Sequence, residues 1–528
     1  MKNNNLNVVF AVLFLFGFIF FWESFVMSRY GAPKKNAAVA SEQAADRVIR
    51  DAQLTGASAV PGTKTVNADA IVSLHAEGNE VILMARGGGI GSWHLKERDH
   101  WLEMLLQEKL RTASPLEMFP ELIYATEKKS DAQAVFTAQH PAGFEITKTV
   151  TLLGQPPFHT VSVDIKNPTD HEIMIDTMLG WGSGLDKHPV GATYEKNTVV
   201  AENGAVALGQ NRMSWKPGVI FGRSVERTDV GPFQWVGVAN HHFLAAILAP
   251  EGQTLPAIHV ALSRKAPPVA GAVISAHLKA GETLHRDYLL YVGPKKVEVL
   301  AQAGHGLPDA IDYGTFGIIS KGLLSVLNFY HSVTGNYGWA IVLLTFTIQI
   351  CLFPLTRKSL QHTLKMKELQ PHLKRLQEQY KDDPKRYQLE MMNFYKKNGM
   401  KFMGLEGCLP LLIQMPIFYA FYATLNNAYD LRGAQWIFWI HDLASKDPHY
   451  VLPVLMGLGM FAQQKLSGAA VDPSQARMMM IMPLVFTFMF LPMPAGLVLY
   501  WVVNSMVTIS VQRVLSWRNQ GNPPAVVA

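Results

Sequence analysis

Apolar runs crowd residues 337 to 515, at about 338–355, 408–425, 451–464, 478–493 and 495–514, and one more covers 6–27. Runs this long, this uncharged and this closely spaced have a natural solution in a bilayer, where a helix satisfies its own backbone. Six membrane spans are therefore expected. The runs at 451–464 and 478–493 fall short of the usual ~20 residues, which predicts a locally thinned bilayer. Pro492, Pro494 and Gly496 break the last two spans into a tight hairpin. The first run, LNVVFAVLFLFGFIFFWESFVM, has its nearest small-residue site, AVA at 38–40, far downstream. An uncleaved signal anchor over 1–28 is expected, with a cleaved signal peptide as the alternative.

Loop charge sets the orientation. Between 356 and 404 there are twelve Lys or Arg against five Asp or Glu, whereas 428–449 carries Arg432 and Lys446 against Asp430, Asp442 and Asp447. The excess of basic residues predicts that 356–404 is cytoplasmic and 428–449 outside. Alternation then puts both termini inside and residues 29–336 mainly outside.

The outer segment reads as soluble protein. After a linker at 29–60, FEITKTVTLL at 144–153 places Phe144, Ile146, Val150 and Leu152 on one face of a strand, opposite Glu145, Thr147 and Thr149. A GQPP turn follows, then HTVSVDIKN alternates in the same way. Such hairpin signals recur as far as YLLYVGP at 288–294 and predict a large antiparallel β-sandwich over 61–312. His94, Asp99 and His100, and the Asn240-His241-His242 cluster, lack zincin spacing, and GGG at 87–89 lacks the GK[ST] of a phosphate loop. Turn and surface roles are expected for them, and no metal or cofactor site. Cys351 and Cys408 both lie in apolar runs and are expected to be packing residues.

Residues 313–336 are expected to form an interfacial amphipathic helix, with Phe316, Ile319, Leu323, Leu327 and Tyr330 on one face. From 357 to 403 two cytoplasmic helices are predicted, joined at DDP, where Asp383 caps and Pro384 opens the second. Lys365, Lys367, Lys374, Arg375, Lys385 and Arg386 would face outward, either as a solvated surface or as a docking site for anionic lipid or an arriving polypeptide.

Polar residues inside the apolar runs carry the functional signal. Tyr500, Asn504, Thr508 and Gln512 recur every four residues, with Ser505 beside them. Thr345 and Gln349 are also four apart, and Gln414 lies between Pro410 and Pro416. They are expected to face the bundle interior, either as a wet groove or as interhelical hydrogen bonds. The deep parts of the last five spans hold no acidic residue, which argues against a proton or cation pathway.

GCLPLLIQMPIF at 407–418, LQP at 369–371, PLT at 354–356, GLVLYWVVN at 496–504, DYG at 312–314 and YVGPK at 291–295 resemble the YidC-type insertase family of bacteria, in its Gram-negative form. The resemblance is dense from about 310 to 515. It implies a polytopic α-helical membrane protein of the inner membrane, with an N-terminal anchor, a five-helix insertase core at 337–516 and a periplasmic β-supersandwich. It also implies a membrane protein insertase and chaperone with no enzymatic activity and no cofactor, acting alone or with the Sec translocon. Nascent membrane proteins and membrane lipids would be its partners, and nucleic acid would not. The groove, open to cytoplasm and lipid, would be formed by Thr345, Gln349, Gln414, Tyr500, Asn504, Ser505 and Thr508. The resemblance leaves the ribosome as a further partner, but the tail over 517–528 ends in the uncharged NQGNPPAVVA and offers it no basic extension. Family members carry a groove arginine five residues before the PLT proline, and this chain has Gln349 there. A small-molecule transporter or channel is the alternative reading, and it requires a continuous polar path to the outer face. A membrane-anchored sugar- or peptide-binding receptor would need only one span.

Overall fold

The computed structural model describes residues 70–520 except 98–99, 106–113, 154–157, 184, 186–197, 204–211, 216–224, 263–267, 315, 399–404 and 468–472. The expected anchor over 1–28, the linker over 29–60, the GQPP turn, Asp99 and the end of the C-terminal tail lie outside the described residues. The chain divides into two compact units that meet in sequence between Ile311 and Asp312.

The first unit is built on β-strands. Four of them, β1 (Ile71–Ala76), β2 (Asn79–Met84), β3 (Ile90–Glu97) and β4 (His100–Glu103), form an antiparallel meander. A twelve-stranded antiparallel sheet follows: β5 (Ala125–Ser130), β6 (Gln133–Gln139), β7 (Glu145–Thr151), β8 (His159–Lys166), β9 (Ile173–Trp181), β10 (Thr198–Asn203), β11 (Arg212–Trp215), β12 (Val225–Ala239), β13 (Phe243–Leu248), β14 (Leu255–Leu262), β15 (Val269–Leu278) and β16 (Thr283–Pro294). The predicted hairpin is β7 against β8, in register from Glu145↔Lys166 to Thr151↔Thr160. Their inward positions hold Ile146, Val150, Val161, Val163 and Ile165, all buried, as period-two alternation requires. A short helix, α1 (Val297–Ala303), closes the unit.

One inward position breaks the pattern. Lys148 on β7 is fully buried. Its ammonium donates to the carbonyls of Gly88 and, at 2.8 Å, of Leu116, and it stands over the rings of Tyr124 and Phe136 at 5.6 and 5.4 Å. Gly88 has φ +57°, and a Cβ there would come within 2.9 Å of the lysine nitrogen. The GGG stretch therefore lets the backbone close over a buried amine. The clusters of interest in this unit are local pairings. His94 Nε2 lies 3.2 Å from Glu103. The Asn240 side chain accepts from His242 N–H and Phe243 N–H at 2.9 and 2.7 Å, closing the β12–β13 turn.

The second unit is helical: α2 (Gly317–Thr334), α3 (Tyr337–Gln379), α4 (Pro384–Lys397), α5 (Leu405–Asn427), α6 (Val451–Ser467), α7 (Pro473–Phe490) and α8 (Ala495–Gln520). Among the described residues, 337–359 and 495–515 are long and apolar enough to cross a membrane, and 480–490 is a shorter apolar helix. At α8 the bundle converges, since α8 packs on α6, α3 and α5.

Three features refine the sequence reading. First, α3 does not stop where its apolar run ends but continues through Pro354 and Pro371 to Gln379, so the first helix predicted over 357–403 extends a candidate span. Second, α4 begins as its sequence predicts, with Pro384 in the first turn and the Asp383 carboxylate accepting from Arg386 N–H at 3.1 Å. Leu369 and Leu373 of α3 bury themselves against Met391, Phe394 and Tyr395 of α4. Third, α2 packs against α3 and α5 through Ser320, Leu323, Leu324 and Leu327. Of the predicted apolar stripe, Leu323 and Leu327 are thus buried, while Ile319 is exposed, as are Ile318, Phe329 and Val333. The Ser320 hydroxyl at 3.0 Å from Ala420 O rotates the inward stripe toward α5.

Burial holds the Lys148 amine at about 7, well below an ordinary lysine, because desolvation outweighs the nearby Glu117 charge. The unfolded chain therefore binds more protons than the folded one between pH ~7 and the ordinary lysine pKa of ~10.4. Stability should rise with pH across that window and, for this group, level off below it. In Lys148→Met the rise should flatten, as read by urea-dependent proteolysis of the detergent-solubilised chain. Lys148→Ala should cost roughly 2–4 kcal/mol, because two buried carbonyls lose their donor.

Candidate functional site

The polar residues of the helical unit meet in mid-bundle, about a third of the way along α3 and in the first half of α8. Gln349 Nε2 on α3 donates to Asn504 Oδ1 on α8. Gln414 Nε2 on α5 donates to the hydroxyl of Tyr500 on α8. Interhelical amide bonds of this kind contribute about 1 kcal/mol each. They also specify partners, because an amide left unpaired in a low-dielectric interior is costly. Tyr500 is itself fully buried, with its ring 5.2 Å from that of Phe421.

The threonines behave differently. Thr345 is fully buried and returns its hydroxyl to Ile341 O at 2.7 Å. Thr508 does the same to Asn504 O at 2.8 Å but remains half-buried. Thr347 pairs with Tyr330 of α2, oxygen to oxygen at 2.6 Å. Ser505 is buried facing Gly459 of α6, and its hydroxyl has no hydrogen-bond partner among the described residues.

Only part of this set lines open space. A cleft of about 270 Å³ lies between α3 and α8, bounded by Phe346, Gln349, Ile350, Phe353, Thr356, Val507, Thr508 and Val511. Its wall is mainly apolar, with Gln349, Thr356 and Thr508 as the polar points. Toward the start of α3 and α8 the bundle closes: Ile341, Leu344, Thr345, Leu497, Val498 and Tyr500 are all buried. The structure thus divides the expected residues. Gln349 and Thr508 face the cleft, Asn504 is joined to it through Gln349, and Thr345, Tyr500 and Ser505 lie in the sealed half or behind it. Gln414 is half-buried on Tyr500.

Sequence reasoning missed Thr356 and the apolar wall of Phe346, Ile350 and Phe353. Their spacing of three to four residues around Gln349 was the available signal. Among the described residues no group of three metal-ligating side chains occurs. On the hairpin, Lys374, Arg375, Lys385 and Arg386 are exposed, and Arg386 covers the Tyr380 ring at 5.6 Å. The side chains of Lys365 and Lys367 lie outside the described residues.

Fold and site together define a helical membrane protein with paired amides in mid-bundle, joined in one chain to a large β domain. Two family models match. One is described as 60Kd inner membrane protein, over residues 329–521, and the other as YidC periplasmic domain, over residues 119–326. The membrane protein insertase YidC of Endomicrobium trichonymphae is 34% identical over 448 residues, 83% of this chain and 83% of its own. That of Geobacter sulfurreducens is 37% identical over 393 residues, 72% of this chain and 70% of its own. An active YidC insertase crystal structure with its first transmembrane domain resolved aligns over 85% of this chain and 94% of its own, at 17% identity and TM-score 0.38. The chain belongs to the YidC family of membrane protein insertases.

Breaking the Gln349–Asn504 pair should be measurable. Gln349→Leu and Asn504→Leu should each destabilise the detergent-solubilised protein, and the double variant should recover about 0.5–1 kcal/mol of their sum in a double-mutant cycle followed by thermal unfolding.

Proposed function

We propose that this chain inserts nascent membrane proteins by way of the cleft between α3 and α8, with the apolar part of the substrate leaving past Phe346, Ile350 and Phe353 into lipid. The observation that supports this most is the asymmetry of the bundle, a cleft in one half and a sealed core in the other. A polar segment that enters the cleft has a shorter dry path ahead of it, and the short helix α6 shortens that path further by thinning the bilayer.

In the topology we propose, both termini are cytoplasmic and 428–449 is periplasmic. The cleft then opens toward the cytoplasm, and the sealed half faces the periplasm. The exposed apolar residues of α2, Ile318, Phe329 and Val333, favour its lying along the periplasmic membrane surface with lipid on its free side. The exposed cations of the α3–α4 hairpin provide a surface for anionic lipid or an arriving chain. Cooperation with the Sec translocon belongs to the same reading. A transporter would require a polar path through the sealed half, where Leu344, Leu497 and Val498 are buried and apolar.

Photocrosslinkers at Gln349, Thr356 and Thr508 should capture a nascent membrane segment several-fold more than crosslinkers at the exposed, outward Leu458 and Val485. Equal capture at both sets would sink the cleft as the path. Because Gln349 presents hydrogen bonds and no charge, Gln349→Arg should be tolerated and should improve insertion of substrates with acidic tails. Loss of insertion of all substrates in that variant would mean that this cleft depends on its neutral amide pair.

A further inference from the structure

The stretch Trp436–Ile440, WIFWI, puts five large apolar residues in a row where there is no helix. The backbone closes it into a tight loop, since Trp436 N–H donates to Ile440 O at 2.9 Å and Ile440 N–H to Ile437 O at 3.2 Å. Phe438 forms the apex, at φ +54° and 81% exposed. Its ring stacks on Trp439, with centroids 5.8 Å apart and 20° between planes. The Trp439 indole N–H donates to Asp447 Oδ1 at 3.0 Å. The buried Asp447 carboxylate also accepts from Leu452 N–H at 2.8 Å, in the first turn of α6. Beside the tip, Trp339 of α3 is half exposed and meets Trp436 edge-on at 6.0 Å. From Ala434 to Ile440 the loop has no charged residue.

We propose that this tip is a lipid wedge: Phe438, Trp439 and Trp339 enter the boundary between headgroups and acyl chains of the leaflet on the side of the 428–450 segment, and so set the depth of α6. Lipid is the occupant that the surroundings favour. The flanking helices α5 and α6 are apolar, so the loop between them lies at a bilayer surface. The indole N–H of Trp439 is already satisfied internally, so sinking its ring strands no donor. Aromatic residues favour this depth. The tip is also tied rigidly to α6 through Asp447. With 17 residues, α6 is about 25 Å long against a hydrocarbon core of about 30 Å. A wedge fixed to its first turn holds that end below the surface and draws the leaflet down to meet it. The proposal rests on reading α5 and α6 as membrane spans, and it is independent of the α3–α8 cleft.

The test uses the full chain with Cys351→Ser and Cys408→Ser, reconstituted in nanodiscs of phosphatidylethanolamine and phosphatidylglycerol. Single cysteines at positions 438, 441 and 458 carry an environment-sensitive fluorophore. Nitroxide lipids and aqueous iodide serve as quenchers. His441 is exposed beside the tip, and Leu458 is exposed on α6. The label at 438 should be blue-shifted and quenched by nitroxide lipid about threefold more than the label at 441, while 458 is quenched as a lipid-facing control. Iodide quenching at 438 equal to that at 441 overturns the wedge. Shielding of 438 from both quenchers overturns it too, because a protein surface, a second copy or another partner, then covers the tip. If 458 escapes lipid quenching, α6 is not in the membrane and the span reading fails along with the wedge.

Discussion

A helix that starts inside or at the edge of a bilayer leaves its first amides without water to satisfy them, and this fold solves that problem for three helices with one stretch of chain. The segment from Gln435 to Asp447 supplies most of the partners. Ser445 O and Leu443 O accept from Ala495 N–H and Gly496 N–H at the start of α8, at 2.7 and 2.9 Å. Asp447 accepts from Leu452 N–H at the start of α6. Asn336 caps α3 through Gly338 N–H and Trp339 N–H and donates its own amide to Gln435 O at 3.1 Å. At Gly338 even a Cβ would overlap the Trp436 ring, so the chain needs glycine there for α3 to approach the segment. Three helix starts are thereby gathered on one side of the bundle, which leaves the opposite ends freer to separate.

The rest of the architecture follows from that pinning. Near the segment the helices are close, apolar and dry, with Ile341, Leu344, Leu497 and Val498 fully covered. Farther along, a cleft lies between α3 and α8 beside Gln349 and Thr508. The amide pairs Gln349–Asn504 and Gln414–Tyr500 lie near this transition. In the low dielectric of the bundle they give each helix a specific neighbour rather than much net stability. Neither pair carries a fixed charge. In the β domain the same physics acts on Lys148, whose burial is tolerated because two carbonyls and two aromatic faces surround it.

Much of this was legible from residue order. Each of the last five apolar runs falls in a helix, DDP marks the start of α4, and the alternation in FEITKTVTLL and HTVSVDIKN marks β7 and β8, because period and capping chemistry are local properties. The four-residue spacing of Tyr500, Asn504, Thr508 and Gln512 placed them on one face of α8. It could not say which of them would be sealed and which open. Lys148 occupies an inward strand position in FEITKTVTLL, but lysine is so rarely buried that alternation alone does not announce a buried amine. That Leu323 and Leu327 of the α2 stripe turn into the bundle while Ile319 stays exposed was not legible, because a helix that is apolar on two sides has no single stripe to read.

What the amino-acid sequence determined by itself was composition in space along one dimension: where helices and strands form, which loop carries the basic charge, and that amides must lie within apolar runs. What only the tertiary structure decided was the pairing of those amides, the line between the sealed half and the cleft, and the exposure of the WIFWI tip. Each of these depends on which residues from distant segments come within a few ångströms of one another. Local periodicity carries no information about that, because hydrogen bonds and close packing act over distances far shorter than the sequence separations they bridge.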